Sequence, residues 1–321
     1  MGTRRNILDN ATDSANFIAG VHALKREDTG ILSTQLGIEA GPRADVRSLS
    51  TWDLFVIWHV WTMSETSVDG QRNAAHMGPV FLPWHRWYLL LLEWQIQRVL
   101  GLSQDDFGLP YWDWAANGGD LTRTQQRRTA PIWGVIGGNG SGVDREVQDG
   151  PFTVTDFVVN VEQGPSQSLR ATNRGLRRNF AAEGATRLPR TAEVESVLDE
   201  PVYDRAPWTA SSLDSFRNRC EGWRQPALSL HNRVHVWVGG DMGPGSSPND
   251  PVFFLNHCNV DRIWDAWQHR HPASGYLPAG RSAPDDPLFR HRELDPIHSI
   301  LTQGAPRISD MLDVSAFYTY A

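Results

Sequence analysis

Cysteine is almost missing from this sequence. Cys220 and Cys258 are the only two in 321 residues, too few for a disulfide framework. Basic residues fall short of acidic ones, 30 against 37, giving a formal net charge of −7. That balance argues against a nucleic-acid partner, which would require a basic face to displace counterions from phosphates. Long hydrophobic runs are absent as well. The longest, Trp87 to Leu92, is far below the roughly 20 residues that cross a bilayer, so no membrane association is expected. The N-terminal Met1-Gly2-Thr3-Arg4-Arg5-Asn6 leads into a polar segment without an apolar core. This predicts no signal peptide and a cytoplasmic protein, with export alongside a partner protein left open. Neither a repeat nor a low-complexity linker divides the chain, and residues 1–321 read as one domain. Gly138-Asn139-Gly140-Ser141-Gly142 lacks the strand–turn–helix setting and the lysine of a phosphate cradle, so it reads as a loop. What the sequence holds in excess is tryptophan and histidine, 14 and 11, and they cluster.

Local patterns predict a mainly α fold with long covering loops. Ser50 is placed to cap a helix running through Trp52 and His59. Residues 64–78 are polar, with Gly70 and Gly78, and read as a loop. Pro83 suits the first turn of a strongly apolar helix that reaches Leu100 and stops at Gly101. Residues 115–190 are rich in Gly, Arg, Asn and Thr and predict loop with short strands or turns. Helical character returns at 191–199, 211–220, 226–237 and 257–270, with the turn-rich Gly239 to Gly245 between the last two. Arg123, Arg127 and Arg128 read as solvated surface, with steering of an anionic substrate as the functional alternative.

The histidines carry the chemistry. His231 and His235 stand four apart, one helical turn, so both imidazoles can reach one metal ion. A zinc protease would place Glu directly after the first histidine; here that residue is Asn232. His257 lies on a further helical stretch, with Asp261 one turn on, placed to accept the spare N–H of a neighbouring imidazole. His59, His76 and His85 form a second set, two in apolar helical stretches and one in the loop between. Two groups of three imidazoles without carboxylates suit copper, zinc or nickel better than iron or manganese. Six neutral imidazoles favour a pair of copper ions with dioxygen as co-substrate.

The segments around these residues resemble the copper motifs of the tyrosinase family, and the chain is similar to its compact bacterial members. His76-Met77-Gly78-Pro79-Val80-Phe81-Leu82-Pro83-Trp84-His85-Arg86 resembles the first copper motif, with His59 upstream. Pro110-Tyr111-Trp112-Asp113-Trp114 follows as in relatives. Leu230 to Trp237 and Asn249 to Asp261 resemble the second motif. The likeness runs from Trp52 to the end, and residues 28–50 look like an insertion. It implies a four-helix bundle around a dinuclear copper site, with His59, His76 and His85 on CuA and His231, His235 and His257 on CuB. It further implies that Glu221 and Asn232 order a water at the mouth and take a phenolic proton. Phe253 would overhang CuA. Arg4 with Tyr318 and Tyr320 would join the chain ends. A small caddie protein for copper loading is the implied partner.

Several residues depart from the family pattern. The residue before the third CuB ligand is commonly histidine, but here it is Asn256. An amide offers no imidazole face, which fits relatives that oxidise o-aminophenols better than those that hydroxylate monophenols. Ala74 replaces the cysteine from which fungal and plant members build a thioether. Cys258 reads as a small buried hydrophobe pointing off the histidine face. The sequence ends at the tyrosine pair, so no shielding domain over the site is expected. The expected activity is oxidation of substituted o-aminophenols and catechols to o-quinone imines and o-quinones, with onward phenoxazinone or nitroso products. A tyrosinase that hydroxylates monophenols is the alternative, and a hemocyanin-like oxygen carrier or zinc-binding structural protein the remoter readings. Substrate choice is assigned to the surroundings of Val236, Met242 and Ser247.

Overall fold

The computed structural model describes residues 2–67, 69–164, 168–212, 214–223, 229–286, 288, 290–299 and 304–321. The chain opens with strand β1 (Gly2–Arg4) and helix α1 (Ala11–Arg26), an element that the polar N-terminal sequence did not suggest. The Asn10 side chain accepts from the Thr12 and Asp13 amides, and Phe17, Val21 and Leu24 form a sparse apolar stripe that is fully buried. Strands β2 (Asp28–Leu32) and β3 (Ser48–Ser50) pair antiparallel and close off the insertion.

Helix α2 (Thr51–Ser64) starts where expected: Ser50 and Asp53 cap each other reciprocally. Helix α3 (Phe81–Leu100) begins two residues before Pro83, which still falls in the first turn, where no amide donor is needed. Gly101 ends it at φ 66°, the left-handed geometry glycine adopts without strain. The region read as loop holds two short helices, α4 (Arg123–Arg128) and α5 (Ile132–Ile136). It also holds the antiparallel hairpin of β4 (Val158–Gln163) and β5 (Leu169–Gly175).

Helix α6 (Thr191–Leu198) matches its expected span, while α7 (Phe216–Glu221) starts later than the pattern suggested. Helix α8 (Leu230–Val238) follows, residues 226–228 of its expected span lying outside the described residues. Helix α9 (Val252–Arg270) begins five residues before His257.

Four helices form the frame: α9 packs on both α3 and α8, and α2 meets α3 through Phe55–Tyr88 and Trp58–Trp84 ring contacts. Tyr88 stacks on Trp84 at 4.8 Å and on Phe254 at 5.5 Å. Such ring pairs contribute roughly 0.5–1.5 kcal/mol beyond the area they bury. Trp52, Trp84, Trp112, Trp114, Trp237, Trp264 and Trp267 are fully buried, so the tryptophan excess is largely core. The ends meet as expected: strand β6 (Tyr318–Tyr320) runs parallel to β1, and buried Arg4 lies over the Tyr318 ring at 3.5 Å. Among the described residues no helix is long and apolar enough to cross a membrane.

Candidate metal centre

Two histidine triads sit inside this frame. His59 comes from α2, His76 from the loop after it and His85 from α3; His231 and His235 come from α8 and His257 from α9. Within each triad the ligand-capable nitrogens lie within 4.8 Å of one another. The triads abut, with the His85 and His257 rings stacked at 4.1 Å.

In four of the rings a backbone carbonyl decides which nitrogen faces inward. Nδ1 of His59 donates to Gly245 O at 2.6 Å, that of His85 to Phe81 O at 2.7 Å, and that of His235 to Met242 O at 2.6 Å. His231 Nδ1 donates to Glu221 O at 3.2 Å and to Asn232 Oδ1 at 3.0 Å. A carbonyl only accepts, so in these four rings the proton is on Nδ1 and Nε2 keeps a lone pair. Nε2 of His59 and of His85 is buried without a protein partner. In the second triad, Nε2 of His231 and His235 lies 3.0 and 3.4 Å from His257 Nε2. Lone pairs facing one another in a buried site call for a cation. Burial holds all six imidazoles below their ordinary pKa, His59 at about 3 and His235 at about 4, with the neighbouring rings lowering His76, His85, His231 and His257 further. Neutral nitrogen donors with no carboxylate in either group fit copper.

Two expectations fail. Asp261 touches no imidazole. It accepts from Arg86 Nε at 2.5 Å, Arg4 Nη1 at 3.2 Å and the hydroxyls of Tyr318 and Tyr320, because its face of α9 turns toward the joined chain ends. The histidine-orienting role falls to backbone carbonyls instead. Met242 is not a pocket residue: its side chain is fully buried and only its carbonyl serves the site.

The other predicted residues divide between cavity and support. A cavity of about 340 Å³ opens onto the triads, lined by His59, His76, His231 and His235 with Asn232, Val236 and Ser247. Glu221 lies behind that wall, fully buried; Oε1 accepts the Met77 amide at 2.7 Å and Oε2 accepts Arg217 Nη1 at 2.8 Å. Burial raises its pKa, opposed by Arg217 and the Met77 amide. Phe253 is buried against both triads, 5.1 Å from the His59 ring and 4.1 Å from that of His257. Asn256 is fully buried, and neither atom of its amide has a protein partner. Cys258 is buried, donates to Leu109 O and has its thiol pushed up to about 12 by burial. Arg123, Arg127 and Arg128 line a separate surface cleft with Thr186, away from the histidine cavity.

Sequence reading missed Met63, Asn73, Met77, Trp223 and the Gly243–Gly245 turn, all on the cavity wall. The glycines were the available signal. A Cβ on Gly245 would come within 3.0 Å of Gln163 Oε1 and 3.1 Å of Met63 Sδ, so a side chain in the turn that brings its carbonyl to His59 would push on both neighbours.

A family model described as the common central domain of tyrosinase matches residues 49–270. The chain belongs to the tyrosinase family. It is 41% identical over 281 residues to a tyrosinase of Streptomyces glaucescens, covering 86% of this chain and 90% of that one. It is 36% identical over 303 residues to the grixazone synthase of Streptomyces griseus, covering 86% and 92%. Among solved structures, a polyphenol oxidase from Thermothelomyces thermophila superposes with a TM-score of 0.70 at 21% identity, covering all of this chain and 89% of that one. A functional unit of octopus hemocyanin gives 0.54 at 15% identity, covering all of this chain and 68% of that one. As a tyrosinase-family member the chain is a type-3 copper oxidase of phenolic substrates, and the two triads are its CuA and CuB sites.

Proposed function

We propose that this protein oxidises substituted o-aminophenols and catechols to o-quinone imines and o-quinones. The observation that carries the reading is Asn256, directly before the CuB ligand His257, where an amide replaces the imidazole common in relatives that hydroxylate monophenols. When bound, the copper pair supplies the capacity to take two electrons from the ring and pass them to dioxygen. Each substrate also gives up two protons, and two turnovers match the four electrons that reduce dioxygen to water.

The chain's own part is binding and proton handling. The walls of Met63, Met77, Trp223, Val236 and Pro244 give the cavity an apolar lining on the scale of one aromatic ring. Asn232 Nδ2 has no protein partner and supplies a donor at the mouth. The Glu221 carboxylate accepts from the Met77 amide and Arg217, with the Trp223 side chain also against it, and a water held between it and Asn232 would link it to the cavity. That water takes the substrate's phenolic proton and hands it toward the carboxylate, whose raised pKa makes it a better base than an exposed glutamate.

Monophenol hydroxylation is the second reading, favoured by the identity to a Streptomyces tyrosinase and by the presence of both Glu221 and Asn232. Oxygen uptake by the copper-loaded protein on an o-aminophenol and the matching monophenol, without a catechol primer, separates the two. Rapid uptake on the aminophenol alone is expected; comparable uptake on the monophenol overturns the first reading.

A further inference from the structure

We infer that Arg217 is a positioning residue that makes Glu221 a strut between the two copper sites. The inference concerns how the ligands are held and is independent of which aromatic substrate is used. His76 is the one ligand outside a helix, and its Nδ1 has no protein partner, so its aim depends on the loop backbone and on packing against the Phe81 ring. His291 Nε2 donates to Asn73 O at 3.0 Å, and two side chains hold the loop closer to His76. Asn73 Oδ1 accepts the Ala75 and His76 amides at 3.0 and 2.7 Å, and Glu221 Oε1 accepts the Met77 amide at 2.7 Å. Met77 sits at φ 62°, the left-handed region that a non-glycine residue leaves unless something holds it.

The same Glu221 aims a ligand of the other site, because its main-chain carbonyl accepts His231 Nδ1–H at 3.2 Å. One residue therefore holds the CuA loop with its side chain and a CuB ligand with its backbone. Glu221 is itself fixed from one turn earlier on α7. Arg217 donates Nη1 to Glu221 Oε2 at 2.8 Å, Nε to Asp204 Oδ2 at 2.9 Å and Nη2 to Thr209 O at 2.8 Å. All three charged side chains are fully buried. The rigid guanidinium fork serves three acceptors at once, which a lysine ammonium cannot do in the same geometry.

The test compares full-length, copper-loaded wild type with Arg217→Met, Arg217→Lys and Glu221→Gln, reading amide hydrogen exchange by segment and copper release to a chelator. In Arg217→Met, exchange over residues 72–78 rises about tenfold, the scale of one charge-assisted hydrogen bond, while α3 and α9 stay as in wild type. The copper ion on His59, His76 and His85 leaves faster than the other by a similar factor, because Arg217 acts through the Glu221 side chain that holds the His76 loop, and Arg217→Lys falls between. Wild-type exchange at 72–78, an equal rise across all helices, or equal acceleration of both ions overturns the inference. Should Arg217→Met fail to fold, Glu221→Gln decides. A glutamine of the same size has one acceptor atom for two donors, so either the Met77 amide or Arg217 loses its partner. Faster exchange is expected at residues 72–78 or around Arg217, at 204–209 and 216–221, and wild-type exchange in both refutes the strut.

Discussion

Acidifying the metal-free protein should destabilise it steeply below about pH 6.5, with an uptake of about three protons or more by its buried imidazoles. Seven histidines are held below their ordinary pKa by burial, the six ligands and His291, the last at about 3, and the half-buried His22 and His298 are lowered as well. In the unfolded chain each returns to about 6.5. Below that value the unfolded state binds more protons than the folded one, so stability falls as pH falls, down to the folded pKa values near 3 to 4. At pH 5 His59, His235 and His291 each cost about 2 kcal/mol, about 6 kcal/mol together, against a total of about 5–15 kcal/mol for a typical domain, and the other four buried ligands add to that loss. Near pH 5.5 those three alone should change the stability by about 4 kcal/mol per pH unit, an uptake of about three protons. Urea unfolding followed by tryptophan fluorescence at a series of pH values, with a chelator present, measures that slope. Copper at fixed free concentration should move the midpoint to lower pH without flattening the slope, because the bound state excludes the same protons. A slope of one or two protons would mean that the rings are hydrated or charged in the folded apoprotein, and the argument for preformed neutral donor sets would fall.

Three further outcomes follow from the geometry. Asp261→Asn removes the shared partner of Arg4 and Arg86 and should cost about 3–5 kcal/mol in denaturant unfolding. Its copper content should stay at two per chain, since no imidazole touches it; loss of one ion would restore the ligand-orienting role. Gly245→Val forces a side chain against Gln163 and Met63 and displaces the carbonyl that His59 binds, so copper analysis should show less than two ions per chain and kcat/KM should fall about tenfold. Full copper content with wild-type kinetics would show that the turn adapts. Asn256→His should raise the ratio of monophenol to aminophenol oxygen uptake; an unchanged ratio would remove Asn256 as the determinant.

The ligands were legible in the sequence because imidazole is rare, chemically distinct and spaced by helix geometry: a step of four placed His231 and His235 together, and Ser50 marked the helix that carries His59. Their orientation was not legible. It depends on the carbonyls of Phe81, Glu221, Met242 and Gly245, and a carbonyl has no residue type to read. Asp261 shows the limit of a face argument. It lies one turn from His257, yet Arg4 and Arg86 come from 257 and 175 residues away to claim it. Helix α1 escaped notice for a related reason, since three apolar residues on a polar segment become a stripe only when the rest of the core is there to meet them.

The same division between ligand and support bears on what separates the family's chemistries. The likeness to both a polyphenol oxidase and a hemocyanin functional unit shows that proteins of both names share this fold. Two triads of neutral imidazoles do not by themselves choose among carrying, oxidising and hydroxylating. The choice must lie in groups that meet a substrate or its proton at the cavity, where the chain offers an open mouth at Asn232 and Val236, a turn without side chains at Gly243 and Gly245, and a carboxylate one layer behind the wall. Glu221 cannot approach substrate without releasing the Met77 amide or Arg217, so the proton relay proposed for it requires a water between them. Replacements at Asn256 and Gly245 are therefore expected to act on different observables: Gly245 holds His59 through its carbonyl and bears on metal content, whereas Asn256 lies behind the wall next to His257 and bears on substrate ratio only through that ring.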